Sequence, residues 1–433
     1  MRIPTESDRL SRSTAGVCLA LAALLIVAGC TSPTGTDAAG ATAPSTSATP
    51  SPTPTPSPTP TPPPLQDAVF TIGAVGDVLP HDTPIRTAAA DAVAGGYDFR
   101  PMLEATRPYL SGVDLMLCNM EVPLAFPDET PSGYPLFGAP AELAADLADL
   151  GVDGCSTGTN HTLDRGADNA YFTLDEFDAA GLGHVGSARS QAEADTPQSY
   201  QIERGGQLVT VAQVGGTFST NGLPIPADAP YVVQMLDADT LIAQATSARA
   251  AGADLVVATL HWGNEYQLSP ASSQQELAQA LAASGQIDLV IGTHPHVPQP
   301  LALLEGGPDN SGMWVAWSLG NFISNQDSNC CISETATGLF LTATVVKPVD
   351  GPARVTGMSW TPMTVDRLGQ QRAYPLLELL TATPEVLQLT PSTLQQRLAE
   401  VEAVMANSTG ATFEMLTVPS VPTGDPATVI PRS

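Results

Sequence analysis

Basic and aromatic residues are scarce in this sequence. The 433 residues include 16 Lys and Arg against 44 Asp and Glu, a net charge of −28 at pH 7, and only 5% are aromatic. Lys347 is the only lysine. Nucleic-acid binding depends on Lys and Arg contacts with phosphates, so we expect no nucleic-acid partner. A strongly acidic surface is ordinary for a solvated, exported protein.

Cysteines are also few, and none of the six forms a Cys-x-x-Cys pair. The sequence therefore gives no indication of a zinc knuckle. Cys118 and Cys155 both follow apolar runs that could be neighbouring strands, so a disulfide between them is conceivable in an exported protein. The vicinal Cys330 and Cys331 lie in a polar stretch, and their pairing stays open.

The N-terminal residues 1–29 are typical of a secretory signal peptide. The apolar stretch 15–30 is short for a membrane span and ends in small residues before a cysteine. The motif VAGC at 27–30 resembles a bacterial lipobox, in which the cysteine is acylated after cleavage. Lipid on Cys30 would hold the protein on the outer face of the cell membrane. The alternatives are an ordinary signal peptide and an uncleaved anchor.

The remaining chain divides by composition. Residues 30–65 are rich in Ser, Thr and Pro, which favours an extended stalk of about 3.1 Å per residue. Residues 66–390 have the composition of a large folded domain. Over 391–433 we predict a C-terminal helix followed by a loose tail.

Short apolar runs alternate with helical patterns through the folded part. This alternation predicts an α/β sheet covered by helices. The expected strands are 68–77, 114–121, 151–161, 207–216, 253–263 and 287–296, and the expected helices are 141–151, 169–181, 237–252 and 272–285. The runs 314–322 and 338–346 follow without a helix between them. They predict antiparallel strands in a second, partly antiparallel sheet.

Polar residues follow almost every one of these apolar runs. Ligands bind at this edge in open α/β sheets. Five of the six histidines belong to the group, which comprises Asp77, His81, Asn119, Glu121, Asn160, His161, Asp164, His261, Glu265, His294, His296 and Asn321.

Imidazole, carboxylate and amide oxygen together suit a divalent metal such as Mn, Fe or Zn. His294 and His296 are two positions apart, so on an extended segment both rings would point to one side. Two metals roughly 3.5–4 Å apart form a site for hydrolysis of phosphate esters. The alternative is a set of ordinary hydrogen-bonded histidines. That structural interpretation is kept for His184, which has no polar partner nearby in sequence.

Six ordered motifs over residues 68–345 carry a family resemblance: GDV, NME, TNHTLDRG, HWGNEY, GTHPHVPQP and SLGNF. In this order they resemble the capsule-synthesis CapA family, which is linked to poly-γ-glutamate production. That family is similar in turn to the calcineurin-like metallophosphoesterases. The resemblance implies a metallophosphoesterase-like α/β/β/α sandwich with two packed mixed sheets.

The resemblance also implies roles for eight residues. The implied metal ligands are Asp77 and His296 at a first ion, Glu121 between the ions, and Asn160, His261 and His294 at a second. His161 would be the acid or transition-state stabiliser, with Asp164 orienting it. The chain departs from the phosphoesterase pattern twice. The first-motif histidine lies four residues after the aspartate, at His81, and the bridging acid is Glu.

Three functional hypotheses follow. The first is a cell-surface, metal-dependent hydrolase in capsule or poly-γ-glutamate synthesis or export, attacking phosphorus or an amide carbonyl. The second is a non-catalytic accessory protein that binds an anionic polymer at a membrane polyglutamate synthase. The third is a histidine cluster without metal. In this acidic chain, polymer contacts would be confined to the metals or a few arginines such as Arg86, Arg100 or Arg165.

Overall fold

The protein contains two mixed β-sheets flanked by helices. A computed structural model describes residues 64–382 and 384–432. The predicted signal peptide and nearly all of the predicted linker lie outside the described residues. The strands are β1 Ala68–Val78, β2 Leu115–Met120, β3 Gly154–Ser156, β4 Gly183–Val185, β5 Gln198–Arg204, β6 Gln207–Thr217, β7 Leu255–His261, β8 Leu289–Thr293, β9 Leu301–Leu304, β10 Met313–Ala316, β11 Asn321–Ile323, β12 Thr337–Lys347, β13 Arg354–Asp366, β14 Arg372–Pro375, β15 Glu414–Met415 and β16 Thr428–Ile430.

The helices lie mainly between the strands of the first three hundred residues. They are α1 Asp82–Asp91, α2 Arg100–Leu103, α3 Arg107–Leu110, α4 Glu142–Asp149, α5 Gly166–Ala180, α6 Gln191–Ala194, α7 Ala238–Ala250, α8 Ser272–Ser284, α9 Leu376–Thr381 and α10 Pro391–Met405. Among these described helices, none is both long enough and apolar enough to cross a bilayer.

The first sheet has the order β14-β13-β12-β1-β2-β3-β4, with β11 beside the end of β1 and β15 beside β13. Strands β1 to β4 are parallel, and β12 to β14 continue the sheet in antiparallel fashion. The second sheet has the order β16-β5-β6-β7-β8-β10-β9, with a parallel centre formed by β6, β7, β8 and β10. Both sheets are mixed, as the resemblance implies.

One apolar core lies between the two sheets. Phe70 and Ile72 of β1 pack there with Leu255 of β7. The intervening residues face outward, because successive side chains of a strand point to opposite faces. Val75 of β1 packs under α1 to α5, and Val256 of β7 packs under α7 and α8. Helices therefore cover both outer faces, and the α/β/β/α prediction is confirmed.

The predicted strands up to residue 296 and the predicted helices are confirmed, with bounds that differ by a few residues. The weak strand at 151–161 is reduced to β3. Helices α5 and α8 are each followed by a glycine cap with positive φ, Gly181 and Gly285 respectively. Asp237 is the N-cap of α7, and its carboxylate accepts a hydrogen bond from the Thr240 amide at 2.8 Å.

The prediction for 314–322 is confirmed only for β10, which pairs antiparallel with β9 in the second sheet. This run contains two strands: β10 pairs in parallel with β8 in the second sheet, and β11 pairs in parallel with β1 in the first. The chain crosses between the sheets through Gly320, whose φ is +67°. The Gly320 carbonyl accepts from the Asp77 amide at 2.9 Å. In addition, β12 to β14 extend the first sheet instead of building the second.

The C-terminal helix is confirmed as α10, but the prediction of a loose tail is wrong. Strands β15 and β16 join the first and second sheets respectively. The side chain of Arg432 is only 2% exposed, and its Nη2 donates to Nδ1 of His184 at 2.8 Å. His184 is buried and also contacts Asp178 at 3.1 Å, as its structural interpretation expects. Strand pairing and a buried charge thus hold the tail.

Both cysteine pairs are formed. Cys118 and Cys155 are register partners on β2 and β3 and are joined by a disulfide. Cys330 and Cys331 are paired with each other in the loop after β11.

Candidate metal centre

Polar side chains at the ends of strands from both sheets lie close together in one buried region. Asp77 lies in register with Asn119 of β2 and with Asn321 of β11. In the second sheet, His261 lies in register with Thr293 at the end of β8. The carboxyl ends of parallel strands meet at one edge, which explains why residues far apart in sequence converge here.

The two histidines of GTHPHVPQP leave the strand in a turn. The expectation that they occupy an extended segment is wrong, because β8 ends at Thr293 and both have positive φ, +95° for His294 and +61° for His296. Each such conformation costs about 1 kcal/mol or more for a residue with a Cβ. Neighbouring hydrogen bonds hold the turn, including Tyr266 N to the Pro295 carbonyl at 2.9 Å.

Glu121 is the central carboxylate of the group. It is 0% exposed, and neither of its oxygens has a hydrogen-bond partner among the described residues. Its Oε1 lies 3.6 Å from Nε2 of His296 and 3.8 Å from Nε2 of His261. Burial, and then the Asp77 carboxylate, raise the pKa of Glu121 well above its usual range. A buried carboxylate without donors is costly unless a cation compensates it.

Three of the predicted ligands already have metal-binding spacing. One ligand atom from each of Glu121, His294 and His296 lies within 4.8 Å of the other two. Nδ1 of His294 is buried and, among the described residues, has no hydrogen-bond partner. Burial, and then the charge of His296, lower the pKa of His294 well below its usual range. A neutral imidazole with a free nitrogen is the form that binds a metal.

Asp77 lies behind His296. Nδ1–H of His296 donates to Oδ2 of Asp77 at 3.0 Å and lies 3.2 Å from Oδ1 of Asn321, which leaves Nε2 directed at Glu121. Burial opposes the charged ring, but the Glu121 and Asp77 carboxylates outweigh it and raise the pKa of His296 to about 9. This is the carboxylate–histidine arrangement that orients metal ligands. Direct ligation by Asp77 stays a prediction.

Asn160 and His261 form the other half of the centre. Oδ1 of Asn160 lies 2.8 Å from Nε2 of His261, and Nδ2 of Asn160 donates to Oδ1 of Asn221 at 3.1 Å. The second contact fixes the amide so that its oxygen faces His261. Nδ1 of His261 lies 3.1 Å from the Thr293 hydroxyl. Burial first, then neighbouring histidines, lower the pKa of His261 well below its usual range, so the ring is neutral.

His161 and Asp164 form an oriented pair beside the centre. Nδ1–H of His161 donates to Oδ2 of Asp164 at 2.7 Å, and the same oxygen accepts from the Phe137 amide at 2.8 Å. The Phe137 ring packs edge-on against His161 with centroids 4.8 Å apart. The ring is therefore held on two sides, and its Nε2 remains for a substrate.

A cleft of about 700 Å³ opens over His296, His161 and Asp164. Its remaining polar and aromatic lining includes His81, Tyr134, Phe137, Asn221, Glu265, Tyr266, Cys330 and Cys331. Sequence reasoning missed Tyr134, Asn221 and Tyr266. Only Tyr266 had a signal, because it follows Glu265 in the HWGNEY motif. A second cavity of about 670 Å³, beside α8 and α10, contains none of the predicted metal ligands.

The arginines considered for polymer contacts do not line this cleft. Arg86 donates to the Thr83 hydroxyl at 3.1 Å. Arg100 pairs with Asp98 at 2.8 Å, and Arg165 donates to the Ser132 hydroxyl at 2.6 Å. Any polymer contact that these three arginines make would therefore lie outside the described lining of the cleft.

Comparison with known proteins adds family information. A family described as "Bacterial capsule synthesis protein PGA_cap" matches residues 71–326. The chain is 33% identical over 181 residues to "PGA biosynthesis protein CapA" of Bacillus subtilis (strain 168), covering 42% of this chain and 44% of the relative. It is 28% identical over 232 residues to "Capsule biosynthesis protein CapA" of Bacillus anthracis, covering 51% of this chain and 52% of the relative. The chain thus spans about half the length of these two relatives.

A third relative is a "Probable polyglutamine synthesis accessory protein" of Mycobacterium tuberculosis, 25% identical over 284 residues, covering 61% of this chain and 69% of the relative. Among solved structures, Haemophilus influenzae NAD nucleotidase (NadN) matches with a TM-score of 0.42 and 12% identity, covering 78% of this chain and 60% of that one.

Proposed function

Because the chain belongs to the bacterial capsule synthesis family PGA_cap, we propose that it is a metal-dependent hydrolase acting in capsule or poly-γ-glutamate synthesis or export. The observation that carries this proposal is the Glu121 carboxylate, buried without hydrogen-bond donors and facing His294 and His296. A carboxylate in that setting has the surroundings of a metal ligand rather than those of a structural acid.

The residues present fit divalent ions. Imidazole nitrogen, carboxylate and amide oxygen together suit Mn, Fe or Zn. Asp77 and His296 would hold one ion, Asn160, His261 and His294 a second, and Glu121 would lie between them. The chemistry that such ions supply is activation of water and neutralisation of charge on the substrate.

His161 would act as the general acid, and Asp164 would orient it. Since Asp164 accepts from Nδ1–H of His161, the ring presents Nε2 to the cleft. Protonated at Nε2, His161 would donate to the leaving group as the scissile bond breaks, and Asp164 would keep the ring aligned. An oriented imidazole beside the ligand cluster favours catalysis over simple metal storage.

The substrate class proposed is a phosphoester or an amide of an anionic cell-surface polymer. The alternative is a non-catalytic accessory protein that binds the polymer at a membrane polyglutamate synthase. The printed name of the Mycobacterium tuberculosis relative, an accessory protein, favours this alternative. The absence of arginine and lysine from the described lining of the cleft opposes it, because a polymer would be held by the metals alone.

The test is elemental analysis and hydrolysis with one preparation purified without chelator. We expect one or two metals per chain and cleavage of a phosphodiester or a γ-glutamyl oligomer. His161→Asn should retain the metal and lose about 100-fold or more in kcat. The surface control Asp350→Asn should retain the metal content and the kcat of the wild type. Bound metal without cleavage of either substrate would favour the accessory alternative, and absence of metal would refute both.

We further propose that the protein is exported and anchored by lipid on Cys30, which would place the cleft on the outer face of the membrane beside a synthase. The support is the VAGC motif at 27–30. Expression of Cys30→Ser should release the protein from the membrane fraction, and mass spectrometry of wild type should show the acyl mass. An unmodified Cys30 would refute the anchor.

A further inference from the structure

The cleft above the metal centre is lined by acidic, amide, imidazole and apolar side chains. Among its described lining residues there is no arginine and no lysine, and the acidic residues are Glu265 and Asp164. The proposed metals would therefore be the source of positive charge. A substrate with one acidic group fits that centre, but further acidic groups beside it would meet repulsion.

The backbone places Glu265 at this position firmly. Its loop connects His261 to the following helix and is bound to the histidine turn on both sides. Trp262 N donates to the Thr293 carbonyl at 3.1 Å, and Tyr266 N donates to the Pro295 carbonyl at 2.9 Å. Tyr266 has φ +62°, which a chain keeps only where its surroundings require it. Glu265 is exposed and lines the cleft together with His296, although it is not one of the predicted ligands.

The Tyr266 hydroxyl hydrogen-bonds to this carboxylate, and a hydroxyl carries no charge to neutralise it. No described arginine or lysine forms an ion pair with Glu265, whereas Asp98, Glu193 and Asp114 each pair with an arginine. Its negative charge contributes to raising the pKa of both His296 and Glu121, so it lies within electrostatic reach of the centre. The Tyr266 ring lies near the centre as well, with its centroid 6.2 Å from that of His296.

His81 adds a second acceptor to the same cleft. Its Nδ1–H donates to the Leu79 carbonyl at 3.0 Å, and its ring packs edge-on against Phe137 with centroids 5.2 Å apart. With Nδ1 carrying the hydrogen, Nε2 keeps a lone pair. The cleft thus offers a carboxylate and an imidazole lone pair to a donor-rich group.

We infer that the cleft binds the amino end of its substrate, with an ammonium group on Glu265 and the adjacent acidic or scissile group at the metal centre. This inference rests on the proposed function and specifies its substrate class. In a γ-linked glutamate chain every interior residue adds a carboxylate, and only the first residue carries a free ammonium. The site would therefore act at a chain end and not along the polymer.

The test uses the whole chain loaded with Mn²⁺ and γ-linked triglutamate with either a free or an acetylated amino group. Calorimetry should show the free amine binding about tenfold more tightly, the range of one hydrogen-bonded charge. In Glu265→Gln this ratio should fall below about threefold, with unchanged metal content. Glu305→Gln, an exposed acid outside the cleft, should keep the wild-type ratio.

Equal binding of the two peptides, an unchanged ratio in Glu265→Gln, or no measurable binding of the free amine would each overturn the inference. Hydrolysis followed in the same samples separates it from the proposed function. Amine-selective binding without hydrolysis would refute the hydrolase and leave the inference standing. Equal rates of hydrolysis for the free and the acetylated peptide would support the hydrolase and refute the inference.

Discussion

Nδ1 of His296 lies 3.0 Å from Oδ2 of Asp77, a contact between positions 219 residues apart. It joins the end of the first strand of one sheet to the turn after the central strands of the other. The contact fixes the His296 ring so that Nε2 faces Glu121. The proposed metal centre depends on this orientation.

Changing either member of this pair should weaken metal binding. In Asp77→Asn the amide cannot carry the carboxylate's charge, so we expect a 10- to 100-fold loss of affinity, the usual range for such orienting partners. His296→Ala removes a proposed ligand, so its loss of metal affinity should be larger. Calorimetric titration with Mn²⁺ measures both, with Asp350→Asn as the surface control. Wild-type affinity in both variants would refute the assignment.

Metal affinity should rise with pH. In the metal-free protein the two carboxylates raise the pKa of His296 to about 9. A metal must displace that proton, so below pH 9 the apparent affinity should rise about tenfold per pH unit and then level off. The raised pKa of Glu121 acts in the same direction. Titrations between pH 6.5 and 9.5 test this, and an affinity independent of pH over that range would contradict it.

Glu121→Gln should stabilise the protein without metal and remove its response to metal. Because the pKa of Glu121 is raised, folding without metal must keep this acid protonated, and the substitution removes that cost, so we expect a gain of about 1–3 kcal/mol in chelator. Thermal unfolding of wild type should shift upward on adding Mn²⁺, whereas the variant should not shift. A variant that unfolds earlier than wild type in chelator would show that Glu121 has a structural role instead.

The Cys118–Cys155 disulfide should stabilise the sheet that carries Asp77 and Glu121. It closes a loop of 37 residues, for which chain entropy gives about 4 kcal/mol. The double variant Cys118→Ser/Cys155→Ser should therefore unfold at a lower temperature while still binding metal, because neither sulfur contacts the ligands. Equal unfolding temperatures under oxidising conditions would contradict this contribution.

Much of this fold could be predicted because its central strands are long and apolar. The runs containing β1, β7 and β8 are bounded by polar residues, and those residues proved to be the ones that converge. The crossing at Gly320 could not be predicted, because a continuous apolar run gives no sign that its two halves join different sheets. Likewise β15 and β16 have two and three residues, too few to show a period.

The sequence predicted which polar residues converge, but not the backbone conformation of the histidine turn. The spacing of His294 and His296 indicated two rings on one side of an extended segment, whereas both residues have positive φ. Such strain depends on tertiary contacts such as Tyr266 N to the Pro295 carbonyl, which no local pattern encodes. Tyr134 lines the cleft from a loop without regular pattern, so its position depended on the folded structure alone.

Anomalous diffraction from crystals of the protein grown with Mn²⁺ tests the central claim most directly. The account predicts at least one strong peak within about 2.0–2.3 Å of a Glu121 oxygen and of Nε2 of His296, lost in crystals of Glu121→Gln. A fully ordered Glu121 with no anomalous peak beside it, at saturating Mn²⁺ and pH 9, would contradict the metal centre.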